Sequence, residues 1–236
     1  MKRHTKFTGE INIRNKYSRV KTAKGRKSSS KNWLARQLND PYVKAAKQDG
    51  LRSRAAYKLL QLDERFELLR PGLKVVDLGA APGGWSQVIS EIIGSNRNGS
   101  PARLIAVDIA ERDPIPGVEI FKRDFMLEST FSDIKQALGG YADAVFCDIS
   151  PPLSGHRQTD HIRIITMVEA AYSFACTVLG EEGNFVAKVF QGGTENTLLN
   201  EIKTKFQSVK HAKPPASRAD SSELYLVAQG YRWHEP

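Results

Sequence analysis

The chain has 236 residues, 40% hydrophobic and 26% charged, which is enough for one α/β domain with a sizeable core. No apolar run approaches the roughly 18 residues of a membrane helix. Two cysteines outside any CxxC pair and five scattered histidines exclude a disulfide scaffold and a zinc site. The net charge of +9 is unevenly spread: residues 1–58 carry 17 Lys or Arg against 3 Asp or Glu, whereas residues 59–236 carry 18 against 23. A lopsided basic segment on an acidic body points to a polyanionic partner, with nucleic acid leading.

Residues 1–31 hold 11 Lys or Arg, one acid (Glu10) and few apolar residues, and read as a flexible basic arm. The arm has no apolar h-region, so it does not read as a secretory signal, and it lacks the amphipathic stripe of a transit peptide. The remainder, 32–236, reads as one cytoplasmic domain. Asp40-Pro41 predicts a helix start with Asp as N-cap, and Gly50 its stop. Ser53 predicts the cap of a longer helix, "SRAAYKLLQLDERFELL", ended by Pro71-Gly72. Its Ala56, Leu59, Leu62, Phe66 and Leu69 recur at steps of three and four and mark one buried face, with Lys58 off the stripe.

From Lys74 onward strand and helix patterns alternate. Strands are predicted at Lys74–Leu78, Arg103–Asp108, Val118–Lys122, Ala142–Asp148, Gly183–Phe190, Val209–Lys213 and Glu223–Gly230. Helices are predicted after Gly84 and at Phe131–Leu138, Asp160–Leu179 and Glu195–Phe206. Such alternation implies an α/β fold with a mostly parallel seven-stranded sheet and helices on both faces. Ligands of such sheets bind at the carboxyl ends of the strands.

The stretch "VVDLGAAPGGWSQVI" joins the first strand to a helix through Gly79, Gly83 and Gly84. Glycines at such a corner allow a sharp turn and a close approach of a ligand to the backbone. The pattern is not GxGxxG, which disfavours a nicotinamide dehydrogenase. Pro82 and Trp85 crowd the place of a pyrophosphate, so a ligand without phosphates fits better. Asp108, Asp124 and Asp148 end or follow the second, third and fourth strands. Each alone reads equally well as a solvated acid; together they line one sheet edge. Lys188 lies inside the apolar strand "NFVAKVF", where a lysine is costly unless it reaches a partner or a cleft.

"RSRAAYKLLQLDERF", "DLGAAPGGWSQ", "VDI", "RDF", "CDISPP", "VAKVFQG" and "KPPASRADSSELYLVAQG" resemble, in order and spacing, the FtsJ/RrmJ family of ribosomal RNA 2′-O-methyltransferases. The resemblance runs from about Arg36 to Gly230. It implies a Rossmann-like class I methyltransferase fold and S-adenosylmethionine as co-substrate, with no metal. It implies a catalytic tetrad of Lys58, Asp148, Lys188 and Glu223, with Lys188 as proton acceptor. It implies donor contacts at Gly83, Trp85, Asp108, Asp124 and Asp148. The implied substrate is a uridine in the A-loop of large-subunit (23S) ribosomal RNA, on the assembled or nearly assembled large subunit; apart from the resemblance, the chain is expected to be a monomer without a membrane partner. The arm and the loop "GSNRNGSPAR" are longer than in compact members. Two rival readings remain. A base N-methyltransferase would use "SPPL", but Leu153 cannot stack on a base as an aromatic does. An inactive fold serving as an RNA-binding module would not need the tetrad.

Overall fold

The computed structural model describes residues 18–20, 25, 27–150, 156–190 and 196–232. Seven helices and seven strands follow one another: α1 (Ser28–Asn39), α2 (Pro41–Gln48), α3 (Ala55–Phe66), β1 (Lys74–Leu78), α4 (Gly84–Ile93), β2 (Arg103–Asp108), β3 (Glu119–Lys122), α5 (Glu128–Leu138), β4 (Ala142–Cys147), α6 (Arg157–Val178), β5 (Leu179–Phe190), α7 (Asn196–Lys205), β6 (Phe206–Ala212) and β7 (Glu223–Tyr231). The strands form one sheet in the order β3-β2-β1-β4-β5-β7-β6. β3 to β5 are parallel; β7 runs antiparallel between β5 and β6. The expected seven-stranded α/β architecture is therefore the one found.

The sheet separates two apolar cores. One face carries α3 and α4, with Leu59, Leu62, Trp85 and Ile89 packed on Val75, Phe146, Val186 and Tyr225. The other carries α5, α6 and α7, with Ile134, Phe174, Ala175 and Ile202 packed on Val76, Val145, Phe185 and Leu226. Burial on both faces explains why the central strands read as continuous apolar runs rather than alternating ones.

The N-terminal helices agree in part with expectation. Asp40 caps α2 as predicted: its Oδ1 accepts from the amides of Tyr42 (3.0 Å) and Val43 (3.4 Å), and Pro41 takes the first helical position. Ser53 does not cap α3. The helix begins at Ala55 with no side-chain cap, and the Ser53 hydroxyl is buried without a partner. Nor does α3 run to Pro71. It stops at Phe66, where Glu67 turns left-handed, and the Asp63 carboxylate takes the Leu69 amide at 2.7 Å. That turn lets the fully buried Leu68 and Leu69 continue the core in extended chain. α1 begins at Ser28, inside the segment 1–31 that composition assigns to an arm, and buries none of its residues. The rest of the arm, apart from residues 18–20, 25 and 27, lies outside the described residues, as do Pro151, Pro152 and Leu153 of the "SPPL" stretch.

β5 is longer than predicted because it starts at Leu179, directly after α6, and passes through a left-handed Glu182. β6 starts three residues early, at Phe206, because that side chain is buried against Tyr231.

The long loop after α4 is held by Gly117. With φ at +73°, a Cβ there would overlap backbone atoms of Ser95 and Asn96. The Ser90 hydroxyl fixes the same junction by donating to the Pro116 carbonyl at 2.7 Å. Gly117→Ala must move backbone rather than a side-chain tip, and it adds left-handed strain. It is expected to destabilise the protein by about 2–4 kcal/mol, read as a lower midpoint in thermal or urea unfolding.

Candidate active site

Sheet order reverses between β1 and β4, and in such sheets ligands bind outside the carboxyl ends of the strands at that point. Side-chain alternation gathers one cluster there. Lys188 lies opposite Tyr225 in the β5–β7 ladder, and Glu223 lies two residues before Tyr225, so all three share the face that α3 covers. Asp148 follows the last residue of β4. Lys58 comes down from α3.

The contacts are specific. Lys58 Nζ sits 2.7 Å and 2.8 Å from the two carboxylate oxygens of Glu223. Glu223 Oε1 also accepts from the Ser217 hydroxyl at 2.7 Å, and its own amide donates to the Ser221 hydroxyl at 3.2 Å. Burial pushes the Glu223 carboxyl up, but Lys58, Ser217 and Lys188 outweigh it and leave it below the usual value. Lys188 Nζ donates to the Asp148 carbonyl at 2.8 Å and lies 3.2 Å from Asp148 Oδ1. The same Oδ1 accepts from the Tyr225 hydroxyl at 2.7 Å. Tyr225 is fully buried, and burial together with Asp148 and Glu223 raises its phenol well above the ordinary value. Lys58 Nζ stands 5.7 Å from the Tyr225 ring centre. The structure thus brings Lys58, Asp148, Lys188 and Glu223 together, as the sequence predicts. It adds Tyr225 and Ser217, which sequence reasoning missed; only the quoted block "ASRADSSELYL" carried any signal for them.

The glycine corner lies beside this cluster. Gly79 has φ +68°, and a Cβ there would run into the Ile149 side chain. Gly83 has φ +109°, and its Cβ would meet Ile115 Cδ1 at 2.7 Å and Arg52 Cδ at 3.1 Å. A Cβ on Gly84 would strike the Ser53 hydroxyl at the start of α3. The protein's own side chains thus pack closely on all three, and Gly79 and Gly83 also hold left-handed backbone that favours glycine. Arg52 ties the corner to the facing loop: its guanidinium donates to the carbonyls of Pro82 (3.3 Å), Asp113 (2.7 Å) and Pro114 (2.7 Å).

Asp108 closes the corner from β2. One oxygen accepts from the Ala81 amide and the other from the Ala110 amide, both at 2.8 Å. Asp124, exposed past β3, turns its own loop by accepting from the Met126 amide at 2.9 Å. Ile109 and Met126, the first immediately after Asp108 and the second two residues past Asp124, are 73% and 45% exposed, an apolar surface that sequence reasoning did not single out. Trp85 is placed differently from the acids. Its ring is buried, donates to the Ala55 carbonyl at 2.8 Å and packs on Phe146 and Tyr225, so it braces the floor beneath the tetrad.

Asp77 is the acid inside the corner. It is 1% exposed; one oxygen accepts from the Ser86 hydroxyl at 2.6 Å and the other has no partner. Among the described residues no cluster of His, Cys, Asp and Glu is arranged to hold a metal. A cavity of about 440 Å³ lies elsewhere, between α6 and α7, lined by Tyr172, Cys176 and Glu201 among others, and contains none of these site residues.

The FtsJ-like methyltransferase model matches residues 51–231. The chain belongs to that family. It is 56% identical to the ribosomal RNA large subunit methyltransferase E of Paramagnetospirillum magneticum, over 93% of this chain and 90% of the relative. It is 54% identical to the protein of the same name from Rickettsia bellii, over 91% and 95%. Among solved structures, a putative ribosomal RNA methyltransferase from Plasmodium falciparum superposes with a TM-score of 0.67 at 27% identity, covering 76% of this chain and 98% of that one. The FtsJ-like core thus spans everything from the residue before Arg52 to the end of β7, and α1 and α2 precede it.

Asp77 gives this FtsJ-like corner a pH signature. Burial, against the Ser86 hydrogen bond and Arg112 and with Asp148 and Asp108 adding to it, pushes the carboxyl from its usual value up to about 7. The folded state therefore holds this proton over a range where the unfolded chain has lost it. Between about pH 4 and 7 the ligand-free protein should lose stability as pH rises, on the order of 4 kcal/mol in all, and level off above. Asp77→Asn should remove that slope. Unfolding midpoints of both proteins across this range are the measurement, and parallel curves would refute the assignment.

Proposed function

We propose that the protein transfers a methyl group from S-adenosylmethionine to a ribose 2′-hydroxyl of large-subunit ribosomal RNA, at a uridine of the A-loop on a late assembly particle. The observation that carries the reading is the Lys188–Asp148 arrangement beside a glycine corner. The names of the relatives from Paramagnetospirillum and Rickettsia support the RNA class, and the motif resemblance supports the 2′-hydroxyl and the uridine.

The residues suit such a donor. Asp108 and Asp124 offer carboxylates at adjacent strand ends for hydroxyl and amino groups, and the exposed Ile109 and Met126 offer an apolar surface for a planar base. The unfilled Asp77 oxygen lies in the same corner. S-adenosylmethionine supplies a methyl group on a positively charged sulfur. Charge is neutralised as that group moves to oxygen, so alignment of acceptor, carbon and sulfur is the main lever for the protein.

The chain's own task is to orient the hydroxyl and take its proton. A neutral lysine amine has two N–H bonds and one lone pair. In a neutral Lys188 the Asp148 carbonyl would take one N–H and the nearby Oδ1 the other, which would leave the lone pair for the ribose proton. The Tyr225 hydroxyl holds Asp148 in place by donating to the same Oδ1. The Lys58–Glu223 pair, anchored by Ser217, forms the acceptor side and positions the ribose and its phosphate.

Lys188→Ala should lower single-turnover methyl transfer about 10²–10⁴-fold while donor affinity stays within a few-fold. Tyr225→Phe should slow transfer less, because it frees Asp148 without deleting the proton acceptor. Rapid-quench kinetics with radiolabelled donor and calorimetric titration separate the two effects. A Lys188→Ala variant with near-normal rate would overturn the base assignment. Product resistance to alkali at the modified phosphodiester distinguishes ribose from base methylation, since only a 2′-O-methyl blocks cleavage there.

The basic N-terminal segment serves phosphate contact in this reading. Arg52 and Arg54 do not belong to that set, because Arg52 holds loop carbonyls and Arg54 pairs with Asp40 at 3.1 Å and donates to the Ala216 carbonyl. Residues 1–27 carry ten Lys or Arg. Removing them should leave donor affinity unchanged and weaken RNA binding. If about four of those charges touch phosphate, the slope of log affinity against log salt falls by about 3. RNA binding at several salt concentrations checks this, and an unchanged slope would make the segment a bystander.

A further inference from the structure

α1 buries none of its residues, yet it carries Trp33, whose side chain is 57% exposed. Scattered exposed apolar residues are normal on a protein surface, so the ring alone decides nothing. Its neighbours decide more. Residues three and four apart share a helix face. Arg36 lies one turn after Trp33, and Ser29 and Ser30 one turn before it, all of them exposed. Leu38, the other exposed apolar residue of α1, is five positions on and falls on a different side of the helix. The Trp33 face is therefore an indole bordered by a guanidinium and hydroxyls, not an apolar stripe.

The surroundings are positive. Between Glu10 and Asp40 the sequence contains no acid. Lys27, at the start of α1, is exposed. So is Arg19, which is held near the carboxyl end of the helix because the Asn39 side chain clasps Ser18: it accepts from the Ser18 amide at 2.7 Å and donates to the Ser18 carbonyl at 3.0 Å. Arg36 stands 3.9 Å from Asp220, with both side chains well exposed. Such a contact is worth little and leaves the guanidinium open to a better anion. It also places α1 beside the 214–222 loop, in which Ser217 anchors Glu223 of the polar cluster.

We propose that α1 docks the RNA substrate, with an unpaired base stacked on Trp33 and an adjoining phosphate on Arg36. The proposal rests on the RNA reading above and adds a base contact to the phosphate contacts assigned there to the N-terminal segment. Every base has a π-face, so an exposed indole takes an unpaired base of any identity, while the guanidinium beside it takes phosphate oxygens in a bidentate grip. A lipid surface or an apolar protein partner would call for a stripe of apolar residues, which this face lacks. The helix thus grips the RNA beside the loop that anchors Glu223 and leaves the choice of nucleotide to other groups.

The test uses the full chain and two probes of equal charge, a single-stranded RNA and the same strand without its bases. Affinities are measured by fluorescence anisotropy at several salt concentrations. The unaltered protein should prefer the strand that carries bases. Trp33→Ala should weaken binding of that strand roughly 5- to 100-fold, leaving the abasic strand and the salt dependence as they were. Trp33→Leu, apolar but without a π-face, should behave like Trp33→Ala, and Trp33→Phe should keep part of the preference. Arg36→Gln should instead weaken both strands and lower the slope of log affinity against log salt by about 0.7. Alanine is a better helix former than tryptophan, so an unchanged unfolding midpoint is expected for Trp33→Ala and shows that α1 persists. Unchanged affinity of Trp33→Ala for the base-bearing strand, or equal losses on both strands, would overturn the inference. So would a Trp33→Ala variant that keeps its RNA affinity but dissociates from a dimer or from anionic lipid vesicles. An unaltered protein that binds neither strand yet methylates large-subunit ribosomal RNA overturns the inference alone. One that does neither refutes the RNA reading itself.

Discussion

The Lys58–Glu223 pair is the constraint on which the site depends. The two residues are 165 positions apart and meet where α3 lies on the sheet. Both side chains are nearly excluded from solvent, at 11% and 12% exposure. Charges so placed are tolerable only when paired and hydrogen-bonded, and removing either partner leaves the other stranded. The pair therefore fixes the rotation of α3 about its axis, and with it the side of α3 that carries Arg52 and Arg54 at its start. Arg54 in turn binds Asp40, which also caps α2 and meets Arg218 at 3.4 Å. One buried contact thus propagates into the positions of the glycine corner, the N-terminal helices and the 214–222 loop.

Tyr225 joins this constraint to the Lys188–Asp148 side of the cluster. Its ring sits beside the Lys58 ammonium and against Trp85, and its hydroxyl holds Asp148. Because the phenol stays protonated, it acts as a donor toward the Asp148 carboxylate under all ordinary conditions. The carboxylate then serves two neighbours at once, Tyr225 and Lys188. The aromatic floor of Trp85, Phe146 and Tyr225 keeps this set dry from beneath, which strengthens each polar contact above it.

Much of this was legible in the sequence. Alternating strand and helix patterns located all seven strands, since buried parallel strands are short apolar runs with abrupt ends. Lys188 stood out because a lysine in "NFVAKVF" needs a reason. The features that escaped detection have a common cause: their meaning lies across the fold. Tyr225 looks like an ordinary strand aromatic until β7 is laid against β5. Arg112 looks like a solvated loop cation, yet its guanidinium nitrogens are shielded from solvent. α1 escaped because it falls in the basic segment and buries none of its residues, Trp33 and Leu38 included. Ser53 misled because its type suits a helix cap, while its place is decided by the close packing of Gly84 against the start of α3. The three glycines were read as allowing a sharp turn and a close approach of a ligand; the structure adds that a Cβ on each would meet Ile149, Ile115 and Arg52, or Ser53.

The antiparallel insertion of β7 has a consequence for synthesis. β6 pairs only with β7, and β7 is the last strand to be made. Until residues 223–231 emerge, β5 has an open edge and β6 has nothing to join. Glu223 and Tyr225 both lie on that strand, so a chain that stops before it carries Lys58, Asp148 and Lys188 without the partners that Glu223 and Tyr225 supply. Domains fold as units during translation. Here the closing strand also delivers Glu223 and Tyr225, so completion of the sheet and completion of the polar cluster are the same event.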